Sequence, residues 1–560
     1  MTGPHPEPVE PAPADPAPAH PDRWSWICRL APYALLFLLS ADFLDLVPSG
    51  DARIYYDWAH DAVTAPFDIY RFACNDHPSV AYLLWIGLPQ YIWPCSTHAL
   101  HLADVALVCL GIWAFQDLLN LLFGAVAGPR ERMLMATLFA VNPALIGCTS
   151  SSSPDLGMAM FLMLFLRALL RGRKVQAGLF GVCLIFTKET AIAFYPFLVT
   201  AYLVLFVTRS RRSPREALRG LVANAHLGAP VVLLAIYVAW KVLVRTAPAF
   251  YAATELKGGT GLFLFLNLNL NDRMFQSALM EIFGASFNWM MSLFVLGLVL
   301  RAIYRYVFDV EWTPEPGDPR PRAFITAALV LGVYVFTRAV PYTNPRYVIP
   351  VLPLFLLVAF RGLTSLVGSA RFRCAWLGLC IVLGVVSCHA TIDPVSRAFW
   401  GTFQFGSRPL LSICTRTREP GGPGQDQLLY NLECLDLPRL TDDLLGWIKP
   451  DASTVIVGPS RFFTHLVRGP LDSRTFARTL DEDGGITPEF ASPDMLLNHP
   501  PLPQEIFTID YPNMLERRLF PGLIARYDVV EEHVASRRGH ELIARRLRLR
   551  PLSPRPSTGP

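Results

Sequence analysis

Aspartate side chains crowd the polar segment that follows the first long apolar run of this 560-residue chain. They are Asp42, Asp45, Asp51, Asp57, Asp61, Asp68 and Asp76. A carboxylate beside a bilayer costs free energy unless it faces water, a partner or a metal ion, so such groups are candidates for function. A solvated loop accounts well for Asp61 and Asp68. We interpret Asp51 and the run Asp76-His77-Pro78 as functional.

Charged residues at the edges of later apolar runs form a second group. Lys188 is followed by Glu189, and Arg346 is followed by Tyr347, each pair just before an apolar run. Lys188 and Glu189 could form a simple ion pair, and Arg346 could anchor a helix end by its charge. Asp155 follows four serines and a proline, which is typical of a helix start, so a capping role is the alternative for this residue.

Two acidic residues, Asp104 and Glu281, lie inside apolar runs. They could line a cavity or form hydrogen bonds between helices, and we expect the packing role.

The composition indicates which elements must position these side chains. Of all residues, 52% are hydrophobic and 17% are charged, and the mean hydropathy is +0.35. Soluble domains carry about 25% charged residues, so a membrane protein is indicated. A net charge of +4 is too small to suggest a nucleic-acid partner. Residues 1–22 are rich in Pro and Ala and, like residues 551–560, are predicted to be disordered tails.

The fold predicted from the apolar runs is a mainly α-helical, polytopic membrane domain over residues 23–391, with about eleven transmembrane helices. A bilayer core of ~30 Å needs about 20 apolar residues per helix. The predicted spans are 26–47, 98–123, 133–150, 155–171, 175–187, 191–208, 222–243, 276–300, 323–340, 346–360 and 374–391. The short stretch 80–93 is predicted to lie in the membrane interface.

The basic residues of the short loops predict the orientation, because cytoplasmic loops carry more Lys and Arg. Successive loops lie on opposite sides of the membrane, and most of the basic residues fall in the loops of one side: Arg23, Arg29, Arg130, Arg132, Arg167, Arg171, Arg173, Lys174, Arg209, Arg211, Arg212, Arg215, Arg219, Arg301, Arg305, Arg320, Arg322, Arg361, Arg371 and Arg373. The loops of the other side are much poorer in basic residues. The N-terminus is therefore expected in the cytoplasm, and the loop 48–97 and everything after residue 391 outside.

The C-terminal region, 392–550, is predicted to be a small extracytoplasmic α/β domain. Residues 454–458 read as a strand followed by a turn and a helix, and 506–510, 527–534 and 541–546 as further strands. Two cysteine pairs, Cys74 with Cys95 and Cys414 with Cys434, fall on the side where disulfides persist. Unpaired thiols are the equal alternative for both pairs.

The order of these motifs along the chain resembles that of the GT-C glycosyltransferases. The shared features are Asp51 just after the first span, the Asp76-His77-Pro78 run before an apolar stretch, the Lys188-Glu189 element, and Arg346-Tyr347 entering a late span. Within the class, the chain looks most like glycosyltransferase family 39, the branch of the protein O-mannosyltransferases and the lipid A aminoarabinose transferase. The chain differs from the family pattern at two positions. Ala52 stands where the family has a second acidic residue, and Ser79 stands where it has a second proline.

The resemblance implies a reaction on the outer face of a membrane, expected to be a bacterial plasma membrane. A sugar would pass from a polyprenyl-phosphate-linked donor to a glycan, lipid or protein acceptor. Asp51 would be the catalytic base, with Asp57 as the alternative base. The expected substrate-binding residues are Arg346, Lys188, Tyr347, His77 and Asp57.

Asp76 and His77 could bind a divalent metal ion, with Asp76 as the candidate ligand, or they could orient the phosphate. A His and an Asp would suit zinc, and carboxylates alone would suit magnesium or manganese.

Two other kinds of membrane protein remain as alternatives. A lipid or glycan transporter would favour inverted repeats and ionisable residues at mid-membrane. A polysaccharide polymerase or ligase would have its largest outer loop between late spans. In this chain the ionisable residues gather at one surface and the large loop follows the first span, which favours the transferase. A scaffold without activity leaves the acidic loop unexplained.

Overall fold

The computed structural model is mostly helical, with one small sheet near the C-terminus. It describes residues 23–46, 48, 55–56, 59, 79–93, 96–208, 214–244, 273–309, 318–338, 345–388, 393–396, 427–449, 454–457, 489–491, 501–510, 523–537 and 540–551. The side chains of Cys74, Cys95, Cys414 and Cys434 are not among those described, so both disulfides stay predictions.

The helices follow the apolar runs. They are α1 (Arg23–Ser40), α2 (Val80–Gly87), α3 (Thr97–Phe123), α4 (Pro129–Ala140), α5 (Pro143–Thr149), α6 (Pro154–Leu170), α7 (Lys174–Ile185), α8 (Glu189–Tyr202), α9 (Pro214–Ala223), α10 (Ala229–Val244), α11 (Arg273–Phe283), α12 (Asn288–Val307), α13 (Pro319–Arg338), α14 (Pro345–Val348), α15 (Leu352–Leu366), α16 (Ala370–Ser387) and α17 (Gln427–Ile448). Each of the predicted spans overlaps at least one of these helices.

Within the described residues, six helices are long and apolar enough to cross a membrane. They are Thr97–Phe123, Glu189–Val207, Asn288–Val307, Pro319–Thr337, Arg346–Leu366 and Ala370–Ser387. The bent pair α4 and α5 together would make a seventh. The protein is therefore a multi-pass membrane protein. The number eleven remains a prediction, because the other predicted spans contain shorter or less apolar helices.

Helix α6 forms the centre of the bundle. Its residues from Pro154 to Leu169 are all buried, and it packs against α3 and α7. A helix that is apolar on every side is typical of such a central position. Its first turn nevertheless holds Asp155, and its other end holds Arg167. Both charged residues therefore sit where the central helix begins or ends.

Two of the predicted spans contain a break between two helices. In the run 133–150, α4 and α5 meet at an angle of 53°. Pro143 cannot donate a backbone hydrogen bond, and the Asn142 side chain accepts one from the Ala144 N–H at 3.1 Å, so a new helix starts there. The sequence did not predict this bend.

The run 276–300 is broken between α11 and α12. Ser286 and Phe287 adopt left-handed backbone angles, with φ of 55° and 61°. The buried carboxylate of Asp393 accepts hydrogen bonds from the Phe287 N–H at 3.2 Å and the Trp289 indole at 3.0 Å. These bonds compensate for the strained backbone, which is uncommon for residues other than glycine.

The short helix α2 packs into the bundle. Tyr82, Leu83 and Ile86 are fully buried, and the Trp85 indole donates to the Ala103 carbonyl oxygen at 2.8 Å. The predicted short helix is therefore present, and it makes close contacts with α3.

The C-terminal strands form a single sheet of order β2-β1-β3-β5-β4. The strands are β1 (Val455–Val457), β2 (Glu489–Ala491), β3 (Glu505–Asp510), β4 (Tyr527–Arg537) and β5 (His540–Leu549). β1 runs parallel to β2 and β3, whereas β3–β5 and β4–β5 are antiparallel. The strands predicted near 454, 506, 527 and 541 are confirmed; β2 was not predicted. The helix predicted after residue 458 lies outside the described residues.

Helix α17, which the sequence did not predict, connects this sheet to the membrane helices. The Trp447 ring stacks on His533 at 5.3 Å and meets Phe507 edge-on at 6.0 Å. At its other end, the Asn431 amide donates to the Gly147 carbonyl oxygen of α5 at 2.7 Å. The sheet is therefore coupled through α17 to the helix that leads into the candidate site.

Candidate active site

Asp155 is the centre of a cluster of charged side chains at one end of α6. The Ser153 hydroxyl caps this helix: it accepts from the Asp155 N–H at 3.2 Å and donates to the Asp155 carboxylate at 2.9 Å. The helix start predicted from the serine run is thus present. The side chain of Asp155 is 2% exposed, and capping does not account for its remaining contacts.

Lys188 is the main partner of Asp155. Its ammonium group lies 2.8 Å from each carboxylate oxygen of Asp155, and its own side chain is 11% exposed. Lys188 immediately precedes α8, so the backbone start of that helix places the ammonium group beside α6. Burial lowers the pKa of Lys188, while the Asp155 carboxylate opposes this shift. The alternative inferred from the sequence was an ion pair of Lys188 with Glu189, whereas the principal partner in the structure is Asp155.

Arg346 and Tyr347 complete the cluster from α14. The Arg346 Nε lies 4.0 Å from the Asp155 carboxylate, and its Nη2 donates to the Tyr347 hydroxyl at 3.1 Å. The Tyr347 ring lies below both cations, with Lys188 Nζ at 4.1 Å and Arg346 Cζ at 5.0 Å from its centroid. Such contacts favour a cation over an aromatic face. Three of the predicted substrate-binding residues therefore lie together.

The arrangement suits an anion with several oxygen atoms. The starts of α6 and α8 meet here through the Lys188–Asp155 pair, and helix N-termini favour negative charge. A guanidinium group can bind a phosphate through two parallel hydrogen bonds, and an ammonium group acts on it as a point charge. The side chain of Arg346 is 15% exposed, so part of this cluster is accessible.

Two other arginines form ion pairs away from this cluster. Arg167 at the far end of α6 pairs with Asp117 at 2.8 Å and lies 3.7 Å over the Trp113 ring. Arg373, at the start of α16, pairs with the buried Glu131 of α4. The Asp155 cluster thus occupies the end of α6 opposite to the end that the charge pattern predicts to be cytoplasmic.

Asp104 forms hydrogen bonds between helices, as the sequence predicted. Its carboxylate accepts from the Tyr82 hydroxyl at 2.9 Å and from the Ser152 hydroxyl at 2.7 Å. Burial, and then the Asp104 carboxylate, raises the pKa of Tyr82, so its hydroxyl remains a proton donor. The sequence singled out neither Tyr82 nor Ser152, because neither residue type is unusual in its segment.

The other candidates, Asp51, Asp57, Asp76 and His77, lie outside the described residues. Their described neighbours Tyr55 and Tyr56 are buried, and the Tyr56 hydroxyl donates to the Gln90 side chain at 3.2 Å. In the part of the chain that the structure describes, no group of three His, Cys, Asp or Glu side chains could hold a metal ion. The metal site at Asp76 therefore stays a prediction.

No protein-family model and no curated protein matches this sequence. Solved structures do match. ArnT from Cupriavidus metallidurans, bound to undecaprenyl phosphate, is 16% identical with a TM-score of 0.48, over 94% of this chain and 98% of that one. The oligosaccharyltransferase AglB from Archaeoglobus fulgidus, in complex with an inhibitory peptide and a dolichol-phosphate, is 11% identical with a TM-score of 0.44, over 80% and 64%.

TM-scores below 0.5 at such identities assign no role to any residue of this chain. Its function is therefore argued from its own side chains.

Proposed function

We propose that this protein is a membrane glycosyltransferase that passes a sugar from a polyprenyl-phosphate-linked donor to an acceptor on the extracytoplasmic face. The observation that carries the proposal is the cluster of Lys188 and Arg346 around Asp155, with Tyr347 beneath both cations. Ionisable groups at a membrane boundary are costly to bury and are functional candidates by default.

The lipid phosphate is the part of such a donor that this cluster suits. The cations lie at the starts of the apolar helices α8 and α14–α15, where the headgroup of a membrane-embedded carrier would reach them. In the proposed complex, Arg346 grips phosphate oxygens through its planar fork. Lys188, already held by Asp155, supplies a second positive charge. Preorganised cations of this kind are worth most where negative charge develops during the reaction.

The proposed reaction is a direct transfer. The acceptor oxygen forms a bond to the anomeric carbon of the sugar, and the bond from that carbon to the phosphate oxygen breaks. The phosphate leaves with the bonding electron pair, which the cations stabilise. The acceptor proton passes to a carboxylate, for which Asp51 is the proposed base and Asp57 the alternative.

Transfer can be tested with the purified protein in lipid nanodiscs, given a polyprenyl-phosphate-linked sugar and an outer-membrane or cell-wall extract as acceptor. We expect free polyprenyl phosphate to appear and the sugar to become bound to the acceptor, both followed by mass spectrometry. Arg346→Ala should abolish this conversion. Arg171→Ala should not, because Arg171 pairs with Asp117 at the opposite end of α6.

A second experiment, with the protein in closed vesicles, separates transfer from transport. If vesicles carrying the protein move the lipid-linked sugar between leaflets without releasing free carrier, the protein is a flippase and the proposal is wrong. In cells, a deletion strain should accumulate the intact lipid-linked sugar. Mass spectrometry of that lipid would also identify the sugar.

A further inference from the structure

A network of two hydroxyls and one carboxylate lies beside the Asp155 cluster. Asp104 of α3 is fully buried, and its two described partners are the hydroxyls of Tyr82 and Ser152 rather than a cation. Keeping a carboxylate buried without an opposite charge is costly, so its hydrogen bonds must be well made. The network connects three parts of the chain: α2, α3 and the turn before α6.

Ser152 is the link from this network to Asp155. Its backbone is left-handed, with φ of 46°, and its side chain is 1% exposed. A serine in this conformation carries strain that its surroundings must offset. The bond from its hydroxyl to Asp104 holds the turn in this shape. Ser153, the next residue, caps α6 and bonds to Asp155.

Tyr82 is the link from the network to both charged segments. Its ring packs against Gly157, where an added Cβ would lie 2.7 Å from the Tyr82 Cδ2 and 3.3 Å from the Thr187 Cγ2. Gly157 lies two residues after Asp155, and Thr187 immediately precedes Lys188. In addition, the Ala81 N–H donates to the Phe186 carbonyl oxygen at 2.9 Å. Helix α2 therefore lies against the segments that carry both members of the ion pair.

We propose that Asp104 is a positioning residue for the Asp155 cluster, acting through Ser152 and Tyr82. It holds the turn that orients Asp155 and keeps α2 against the segment that orients Lys188. This inference rests on the proposed function, because the geometry it maintains is that of the site for the carrier phosphate. It also assigns α2, at the end of the acidic outer loop, to the support of that site.

Two variants and one matched control test this role. Ser152→Ala and Tyr82→Phe each remove one hydroxyl that bonds to Asp104 and leave the rest of the side chain in place. Ser151→Ala makes the same chemical change one residue away, where the hydroxyl donates to the Cys148 carbonyl oxygen at 3.1 Å rather than to Asp104. A fourth variant, Ser152→Gly, also removes the hydroxyl but tolerates the left-handed backbone.

The measurements are binding of undecaprenyl phosphate, without sugar or acceptor, and the KM and kcat of transfer, each normalised to folded protein. We expect binding to weaken and KM for the lipid donor to rise about tenfold in Ser152→Ala and Tyr82→Phe, the effect of one lost buried hydrogen bond. Ser151→Ala should match the wild type. Ser152→Gly should regain thermal stability relative to Ser152→Ala but not donor affinity.

The three possible negative results have different meanings. If the wild type binds no undecaprenyl phosphate, the proposed function fails, and with it the basis of this inference. If the wild type binds the lipid and transfers sugar while Ser152→Ala and Tyr82→Phe do so equally well, only the positioning role is overturned. A loss of melting temperature with unchanged KM and binding would also overturn it, since the network would then be purely structural.

Discussion

The ammonium group of Lys188 lies 2.8 Å from both carboxylate oxygens of Asp155, in the first turn of α6, whose residues from Pro154 to Leu169 are all buried. The ion pair joins the starts of α6 and α8. Arg346 approaches the same carboxylate from a third helix. The predictions below follow from this arrangement and from the charge pattern of the loops.

The buried pair should be strongly coupled in the folded protein. Asp155→Asn or Lys188→Met leaves one charge buried without its partner, which costs about 3–5 kcal/mol of stability. The double variant should lose much less than the sum of the two. Chemical unfolding in detergent measures all four proteins. The exposed pair Asp318–Arg320 provides the control, where Asp318→Asn should cost at most about 1 kcal/mol. Additive losses at Asp155 and Lys188 would contradict the coupling.

The planar fork of Arg346 should matter beyond its charge. Arg346→Lys keeps the charge but loses the paired N–H donors, so KM for the lipid donor should rise about tenfold while the protein still inserts and folds. Arg171→Lys is the matched control at the opposite end of α6. Kinetics identical to the wild type in Arg346→Lys would return this residue to the role of a helix anchor.

Asp51 should be required for the chemical step. Asp51→Asn preserves the shape of the side chain and removes its basicity, so transfer should fall by about 10²–10⁴-fold. Binding of undecaprenyl phosphate should stay unchanged, which distinguishes a lost base from a lost site. Asp57→Asn is made in parallel, because Asp57 is the alternative base. Normal transfer by Asp51→Asn excludes Asp51.

The arginine-rich loops should face the cytoplasm. A reporter that is active only outside the cytoplasm should work when fused after Arg397 and fail when fused at Arg212. A reporter that is active only in the cytoplasm serves as the reciprocal control. Activity of the cytoplasmic reporter after Arg397 would mean that the number of spans is wrong, with the region 175–208 as the first place to examine.

The sequence alone determined that this is a membrane protein and where most of its apolar helices lie. The length and apolarity of a run are local properties, and the bilayer sets the length that a spanning helix needs. Each predicted span therefore overlaps a helix, and the four predicted strands are present. The two breaks, at Asn142-Pro143 and at Ser286-Phe287, were missed. The second depends on Asp393, which lies far away in the sequence.

Only the tertiary structure decided how the candidate residues are combined. Lys188, Arg346 and Tyr347 were each recognised from a local motif, but Asp155 looked like a helix cap because its serine and proline neighbours account for it locally. Its contacts with Lys188 and Arg346 exist because the starts of α6 and α8 meet α14 at one end of the bundle. Likewise, the bonds of Tyr82 and Ser152 to Asp104 join residues whose types carry no signal of their own. Charge and apolarity are encoded along the chain, whereas the partners of a buried charge are chosen by packing between distant segments.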